Sequence, residues 1–256
     1  MVRFTRSLQR MTEEEGNMDT LIAILIVLTN TAQFDSSHAT GVWLEEFATP
    51  YKIFTEHHVN VTVASPLGGV VPIDPRSLND ETQEKFADEI ELLKNTESLA
   101  DIDVNGYDAI FFPGGHGTMF DLPGNELVQK AITQMYESGK VVSAVCHGPA
   151  AFVDVKLSDG KYLVDGKKVA AFTNSEEKAA KLDKYMPFLL QSKLEEQGAT
   201  VKTAENYQPQ VVFDGKLITG QNPASSENVA RGVLETLGFP PDRGKRVRPA
   251  KYKIDQ

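Results

Sequence analysis

The chain has 256 residues, of which 41% are hydrophobic and 24% are charged, and its formal net charge is -10. These values are typical of a globular protein with one large core, and the acidic balance argues against a general nucleic-acid-binding protein, which needs a basic face. Because the single cysteine cannot form an internal disulfide, we expect a reducing compartment and a cytoplasmic protein.

The two ends of the chain differ in composition from the region between them. Residues 1–17 are polar and aperiodic, so we predict a disordered leader there, and Met18 is a second candidate for the start of the protein. Residues 240–256 are rich in proline, lysine and arginine and are predicted to form a C-terminal tail. The intervening residues 18–239 are predicted to form a single domain.

An apolar run at residues 21–28 follows three arginines, as the core of a signal peptide would. However, acidic residues separate the arginines from the run, and no small-residue cleavage site follows it. The run is also too short to span a bilayer. A first, buried parallel strand is therefore the better interpretation, and no membrane association is expected.

Apolar segments with strand character alternate along the chain with segments of helical periodicity. The predicted strands are residues 21–28, 59–64, 109–113, 141–145 and 169–172. The predicted helices are residues 39–51, 125–138, 187–197 and 225–237, with a further helical surface excursion within 68–100 and a hairpin at 211–219. This alternation predicts an α/β fold with an open, mostly parallel sheet covered on both faces. Ligands of such sheets bind beyond the carboxyl ends of the strands.

Cys146 directly follows the predicted strand 141–145, and His147 comes next. A thiol at such a strand-to-helix turn is expected to have a lowered pKa, because the N–H groups and the dipole of the helix favour the thiolate. The alternative is a small buried core cysteine, which is the commoner fate of a free thiol. The glycine loop 114–118 follows another predicted strand, 109–113. If this loop and the cysteine turn converge, the backbone N–H groups of Gly115 and His147 could form an oxyanion hole. A tight turn is the alternative for that loop.

The five histidines are His38, His57, His58, His116 and His147. Since none follows position 147, a mechanism that needs a later histidine is excluded. The sequence has no spaced set of cysteines and histidines, no phosphate-binding loop and no dinucleotide fingerprint. We therefore expect no metal site and a reaction without a cofactor.

Several of these segments together resemble the DJ-1/PfpI superfamily of class I glutamine-amidotransferase-like folds. The matching segments are residues 40–46, 113–118, 144–150, 172–177 and 220–225. The resemblance covers roughly residues 20–238, and the most similar subgroup is the Hsp31-like one, which includes glutathione-independent glyoxalase III enzymes. It implies a flavodoxin-like three-layer α/β/α sandwich, usually a homodimer, with the cysteine on a strained nucleophile elbow.

The resemblance also implies a catalytic triad. Cys146 would be the nucleophile and His147 its partner histidine, with an acid about thirty residues later. Glu177 fits that acid by spacing, and Glu176 is the alternative. On the residues alone, a solvated helix face explains this pair of glutamates equally well.

A second glutamate contacts the thiol in the family, and the alignment places Glu46 there, with Glu45 as the less favoured neighbour. A solvated helix face is again the alternative. We further predict that Gly114, His116 and Asn222 contact the substrate.

By this resemblance the protein is expected to convert methylglyoxal, a small aldehyde, to lactate. Deglycase or cysteine peptidase chemistry with the same triad is an alternative. Glutaminase activity is disfavoured, because true glutamine amidotransferases use a late histidine that this chain lacks. Alternatives of another class are a stress-related holding chaperone and a redox sensor acting through oxidation of Cys146.

Overall fold

A computed structural model describes residues 22–241 and Val247 of the chain. The predicted leader at 1–17, the alternative start at Met18 and nearly all of the predicted tail lie outside these described residues. The assignment of residues 18–239 to a single domain stays a prediction. Within the described part, no helix is long and apolar enough to cross a membrane.

A seven-stranded sheet lies at the centre of the molecule. In chain order its strands are β1 (Ala23–Val27), β2 (Asn60–Ser65), β3 (Glu97–Ser98), β4 (Ala109–Phe112), β5 (Val141–Val145), β6 (Val211–Asp214) and β7 (Leu217–Gly220). Their spatial order is β6-β7-β5-β4-β1-β2-β3. All neighbours run parallel except the hairpin pair β6 and β7, so the predicted mostly parallel sheet is confirmed.

Helices cover both faces of this sheet. The helices of the described residues are α1 (Leu44–Glu56), α2 (Asp80–Lys85), α3 (Ala87–Leu92), α4 (Thr118–Asp121), α5 (Glu126–Glu137), α6 (Asn174–Ala180), α7 (Leu190–Glu196) and α8 (Ser226–Thr236). Leu25 and Val27 of β1 pack in one core with α5 and α7, whereas Ile24 and Ile26 pack in the other with α1 and α8. Because successive strand residues point to opposite faces, one apolar run supplies both cores of a three-layer sandwich.

The predicted strand at 169–172 is wrong in extent and in place. Only Lys168–Val169 is a strand, and it pairs with Thr200–Val201 in a separate two-stranded sheet. Beyond it, the backbone N–H of Phe172 donates to the carbonyl of Cys146 at 2.8 Å. This segment therefore connects to the end of β5 instead of joining the sheet as a strand.

Two further predictions need correction. The helix predicted at 39–51 begins only at Leu44, because the N–H of Val42 donates to the carbonyl of Pro72 instead of starting a helix. The region 68–100 does contain the short helices α2 and α3, but it ends in the edge strand β3 of the central sheet. Phe86 and Leu93 of this region are buried in the core, so it is not simply a surface excursion.

Candidate active site

Cys146 follows directly on β5, in the interior of the central sheet. Its backbone φ is 59°, in the left-handed region that non-glycine residues rarely adopt. The conformation is held from both sides, because its N–H donates to the carbonyl of Gly220 at 2.9 Å and its carbonyl accepts the N–H of Phe172. Strain that the surrounding structure maintains in this way is characteristic of functional residues.

His147 lies between the thiol and a carboxylate. Its Nδ1 is 3.4 Å from Sγ of Cys146, and its Nε2 is 2.7 Å from Oε2 of Glu177. His147 and Glu177 are both buried. Burial raises the pKa of Glu177, but the charge of His147 and hydrogen bonds from His116 and His147 outweigh it and hold that pKa well below its usual range. An ionised Glu177 places the proton of His147 on Nε2, which leaves Nδ1 as a base facing the thiol.

Glu176, the alternative acid, has a different set of partners. Its Oε2 accepts the N–H of Thr173 at 3.0 Å and the hydroxyl of Thr173 at 2.9 Å, which caps the start of α6. Its Oε1 accepts the N–H of Tyr207 and the side-chain amides of Gln221 and Asn222. The structure therefore places Glu177, and not Glu176, against His147. The predicted substrate residue Asn222 serves this buried network and does not line the cavity.

Glu46 is fully buried in the first turn of α1, whereas Glu45 is exposed. Its Oε2 accepts the N–H of Gly114 at 2.7 Å. Burial raises the pKa of Glu46 to about 8, although hydrogen bonds from Cys146 and Gly114 oppose this rise. Among the described residues Oε1 has no hydrogen-bond partner, so this oxygen can carry the proton of the neutral carboxyl group.

The predicted lowering of the Cys146 pKa is wrong. Burial, together with the charge of Glu46 and the hydrogen bond to it, raises the pKa of the thiol well above its usual value, and the backbone N–H of His147 opposes this only weakly. The helix that follows is the five-residue 3-10 turn Gly148–Phe152, which is too short for a strong dipole. The thiolate therefore requires a neighbouring base and a neutral Glu46.

We expect the stability of the protein to fall as the pH rises, because Glu46 must ionise inside the fold. Its pKa of about 8 exceeds the ordinary 4.5, so the folded state binds this proton more tightly than the unfolded chain. The stabilisation is complete below the unfolded pKa and is lost as the pH rises through the folded pKa, by up to about 1.4 kcal/mol per pH unit. Urea denaturation across this range should show the slope in the wild type and a flatter curve in Glu46→Gln. If the unfolding free energies of the wild type and Glu46→Gln changed equally with pH, the pKa assigned to Glu46 would be contradicted.

Gly114 and Gly115 bring the loop after β4 against the cysteine turn. A Cβ on Gly114 would lie 2.7 Å from Oε2 of Glu46 and 2.7 Å from the backbone nitrogen of His147. Gly115 has a φ of 103°, and a Cβ there would lie 2.2 Å from the carbonyl oxygen of Gly41. The N–H of Gly114 thus holds Glu46 and is not left for substrate. Within the described residues no backbone carbonyl accepts the N–H of Gly115 or His147, and the N–H of His147 faces the sulfur of Cys146, so the oxyanion hole stays a prediction.

The thiol lies in the wall of a cavity of about 300 Å³. Its lining is mostly apolar and includes Trp43, Arg76, Gly115, His116, Cys146, His147, Phe172, Ala180, Tyr207 and Pro223. Because the cavity is small and mostly apolar, with a thiol and two imidazoles in its wall, it suits a small ligand with a polar reacting group.

His116 extends the network at the cavity wall. Its Nε2 is 2.8 Å from Oε1 of Glu177, and its Nδ1 is 3.0 Å from a terminal nitrogen of Arg76. Burial lowers the pKa of His116 to about 4, so it is neutral at physiological pH. Arg76 in turn pairs with the buried Asp74. Arg76 and Asp74 could not be predicted as site residues from the sequence, because they lie in a polar stretch without a recognisable motif.

A ring nitrogen of His116, a ring nitrogen of His147 and an oxygen of Glu177 lie within 4.8 Å of one another, a geometry that no sequence spacing revealed. These side chains already form the hydrogen bonds described above. We therefore interpret them as a hydrogen-bonding network. The expectation of a reaction without metal stays a prediction.

Comparison with known proteins agrees with this architecture. Glyoxalase 3 of Candida albicans is 33% identical over 231 residues, which are 84% of this chain and 98% of that protein. The crystal structure of glyoxalase III from Candida albicans has a TM-score of 0.76 at 33% identity and covers 84% of this chain and 97% of that one. The Rapid Encystment Protein 24 kDa of Francisella tularensis has a TM-score of 0.82 at 36% identity and covers 86% of this chain and 100% of that one.

The model of the DJ-1/PfpI family matches residues 37–236. These residues make up most of the chain and contain the cysteine turn, the glycine loop and α6. They also contain both glutamates that flank the thiol and its histidine. The chain therefore belongs to the DJ-1/PfpI family.

Proposed function

We propose that this protein is a glutathione-independent glyoxalase of the glyoxalase III type, converting methylglyoxal to lactate. The observation that carries the proposal is the continuous contact from Sγ of Cys146 through His147 to Glu177, with Glu46 beside the thiol, in the wall of a small apolar cavity. The relative from Candida albicans carries the name glyoxalase 3. The thiol of the chain then takes the place of the glutathione thiol.

The first step is addition of Cys146 to the aldehyde carbon of methylglyoxal. The thiol proton moves to Nδ1 of His147 as the sulfur–carbon bond forms, and it then passes to the former aldehyde oxygen. The product is a hemithioacetal. The N–H groups of Gly115 and His147 hold the oxygen while it is negative, and neutral Glu46 hydrogen-bonds to the sulfur.

The second step moves a hydrogen from the first carbon to the second. Nδ1 of His147 is unprotonated again, because it has passed the thiol proton to the former aldehyde oxygen. It now takes the proton of the hemithioacetal carbon, which produces an enediol, and then returns this proton to the neighbouring carbon. The hydroxyl proton of the first carbon passes to the oxygen of the second. The result is a lactoyl thioester on Cys146, and water cleaves it to lactate and free thiol. The carbon skeleton is neither oxidised nor reduced overall, so the reaction needs only water as a co-reactant.

The test is to incubate the purified protein with methylglyoxal in the absence of glutathione and to measure lactate. We expect one lactate for each methylglyoxal consumed and no acceleration when glutathione is added. A glycated thiol and a short peptide, supplied separately, report on the deglycase and peptidase alternatives. Consumption of methylglyoxal without lactate, or lactate only when glutathione is present, would contradict the proposal.

We also propose that the protein works as a cytoplasmic homodimer on a small aldehyde, as the family resemblance implies. Light scattering of the purified chain tests the dimer, with twice the mass of one chain as the expected result. A single-chain mass with full activity would show that the site works without a second copy. Localisation of a tagged chain tests the compartment separately.

A further inference from the structure

Arg76 and Asp74 lie at the opposite end of the network from the thiol. The Nε and one terminal nitrogen of Arg76 donate to the two carboxylate oxygens of Asp74. Asp74 itself is fully buried and accepts further hydrogen bonds from the hydroxyl of Thr40 at 3.0 Å and the N–H of Arg76 at 3.0 Å. A two-point pair with a buried, anchored carboxylate fixes the orientation of the guanidinium plane.

The terminal nitrogen that reaches Asp74 is also 3.0 Å from Nδ1 of His116. A guanidinium has only donors, so Nδ1 of His116 must accept this hydrogen bond and carries no proton. The single proton of neutral His116 is then on Nε2, which lies 2.8 Å from Oε1 of Glu177. Arg76 therefore determines the tautomer of His116.

Glu177 connects His116 to His147. His116 donates to Oε1 of Glu177, and because the pKa of Glu177 is lowered the carboxylate is ionised, so its Oε2 also accepts, from Nε2 of His147 at 2.7 Å. The lone pair of His147 is then on Nδ1, the atom that is 3.4 Å from Sγ of Cys146. The two imidazoles thus donate to the ionised Glu177 from both sides, which leaves Nδ1 of His147 facing the thiol.

We propose that Arg76 is a positioning residue that keeps Nδ1 of His116 unprotonated, so that a neutral His116 donates to an ionised Glu177 and His147 presents an unprotonated Nδ1 to Cys146. Arg76 acts through His116 and Glu177, and its effect on turnover rests on the proposed function. The charged and titratable groups around His116 are Arg76 with its partner Asp74 on one side and His147 with Glu177 on the other.

Removal of the guanidinium changes what His116 can do. In Arg76→Met, nothing requires Nδ1 of His116 to stay unprotonated, and the unpaired carboxylate of Asp74 favours a positive neighbour. Burial and the charges of His147 and Arg76 lower the pKa of His116 in the wild type, so loss of Arg76 raises it. A positively charged His116 then neutralises Glu177 and weakens its support of a charged His147.

The expected kinetic result is a fall in kcat of about 10–100-fold at neutral pH, with KM changed by less than about threefold. The acid limb of the pH profile of kcat/KM should move to higher pH, because His116 gains a proton at higher pH in the variant. Arg76→Lys should restore part of the activity and of the profile, since an ammonium is also only a donor. Arg231→Met, which removes an arginine–glutamate pair on α8, is the matched control and should leave both unchanged.

Nitrogen-15 NMR of the histidine side chains in the full-length protein provides a second measurement that needs no activity. We expect wild-type His116 as the neutral Nε2–H tautomer and a proton on Nε2 of His147, and Arg76→Met should shift His116 toward the other tautomer or the imidazolium. A wild-type His116 with its proton on Nδ1 would overturn the proposal. It would also be overturned if Arg76→Met raised KM alone and left the spectrum and the pH profile unchanged, because Arg76 would then bind substrate.

Failure of Arg76→Met to fold and failure of the wild type to form lactate have different consequences for the proposal. If Arg76→Met does not fold, Arg76→Lys decides the question, since it must keep the His116 tautomer of the wild type. If the wild type produces no lactate, the proposed function fails, but the tautomers of the wild type and the variants still decide the role of Arg76.

Discussion

Turnover of methylglyoxal is expected to fall by about 10⁴-fold or more when Cys146 is replaced by alanine. The covalent intermediate requires a sulfur nucleophile, and the sequence contains no second cysteine that could substitute. Cys146→Ser should be inactive as well, because a hydroxyl is far less acidic than a thiol and the surroundings already oppose a negative charge at this position. Lactate formation measured against the amount of folded protein gives the result.

The control for this prediction is that both Cys146 variants remain folded. Both variants keep the backbone contacts to Gly220 and Phe172 that hold the turn, so we expect circular dichroism and the thermal midpoint to stay close to those of the wild type. A Cys146→Ala protein that keeps activity within tenfold of the wild type would show that the chemistry takes place elsewhere.

Glu177→Gln should lower kcat/KM by about 10²–10⁴-fold. Glu177 accepts a hydrogen bond from one imidazole on each oxygen. A glutamine has only one oxygen, and its NH₂ group must face one of the two rings. Either His147 or His116 must then change its tautomer, and the negative charge that supports a protonated His147 is lost. Initial rates of lactate formation over a range of methylglyoxal concentrations measure this loss.

Glu176→Gln is the matched control, one residue earlier in the same helix. Its carboxylate accepts only from structural partners such as Thr173 and Tyr207, so the substitution should lower the unfolding free energy. Its effect on turnover of the folded protein should be much smaller than that of Glu177→Gln. The opposite ranking of the two variants would show that the acid of the triad has been wrongly chosen.

The main features of the fold could be predicted from the sequence, because strands buried on both faces are encoded as continuous apolar runs. Strands β1, β4 and β5 are such runs, and they are fully buried. The edge strand β3 could not be predicted, since it has only two residues, Glu97 and Ser98, and neither has strand character. Its position is determined by pairing with β2, which is a tertiary contact.

The parts of the candidate site that local motifs encode can be predicted from the sequence. The parts that form by contacts between residues distant in the chain cannot. The cysteine turn and the glycine loop can be recognised from the sequence. In contrast, Arg76 and Asp74 resemble ordinary surface charges until the fold brings Arg76 against His116. The pKa of Cys146 was wrongly predicted for the same reason. The local effect of a helix terminus is small beside burial and Glu46, which the sequence around the cysteine does not show.

The glycine loop, the cysteine turn, α1 and α6 also determine when the protein can first be active during its synthesis. Glu46 and Glu177 are separated by more than half of the chain, yet Glu46 lies beside Cys146 and Glu177 contacts the adjacent His147. A nascent chain must therefore expose α6 outside the ribosome before the thiol has its partners. Lactate should therefore be formed only by molecules in which this whole span is folded. Cleavage of the chain that separates Glu46 or Glu177 from the site should abolish activity.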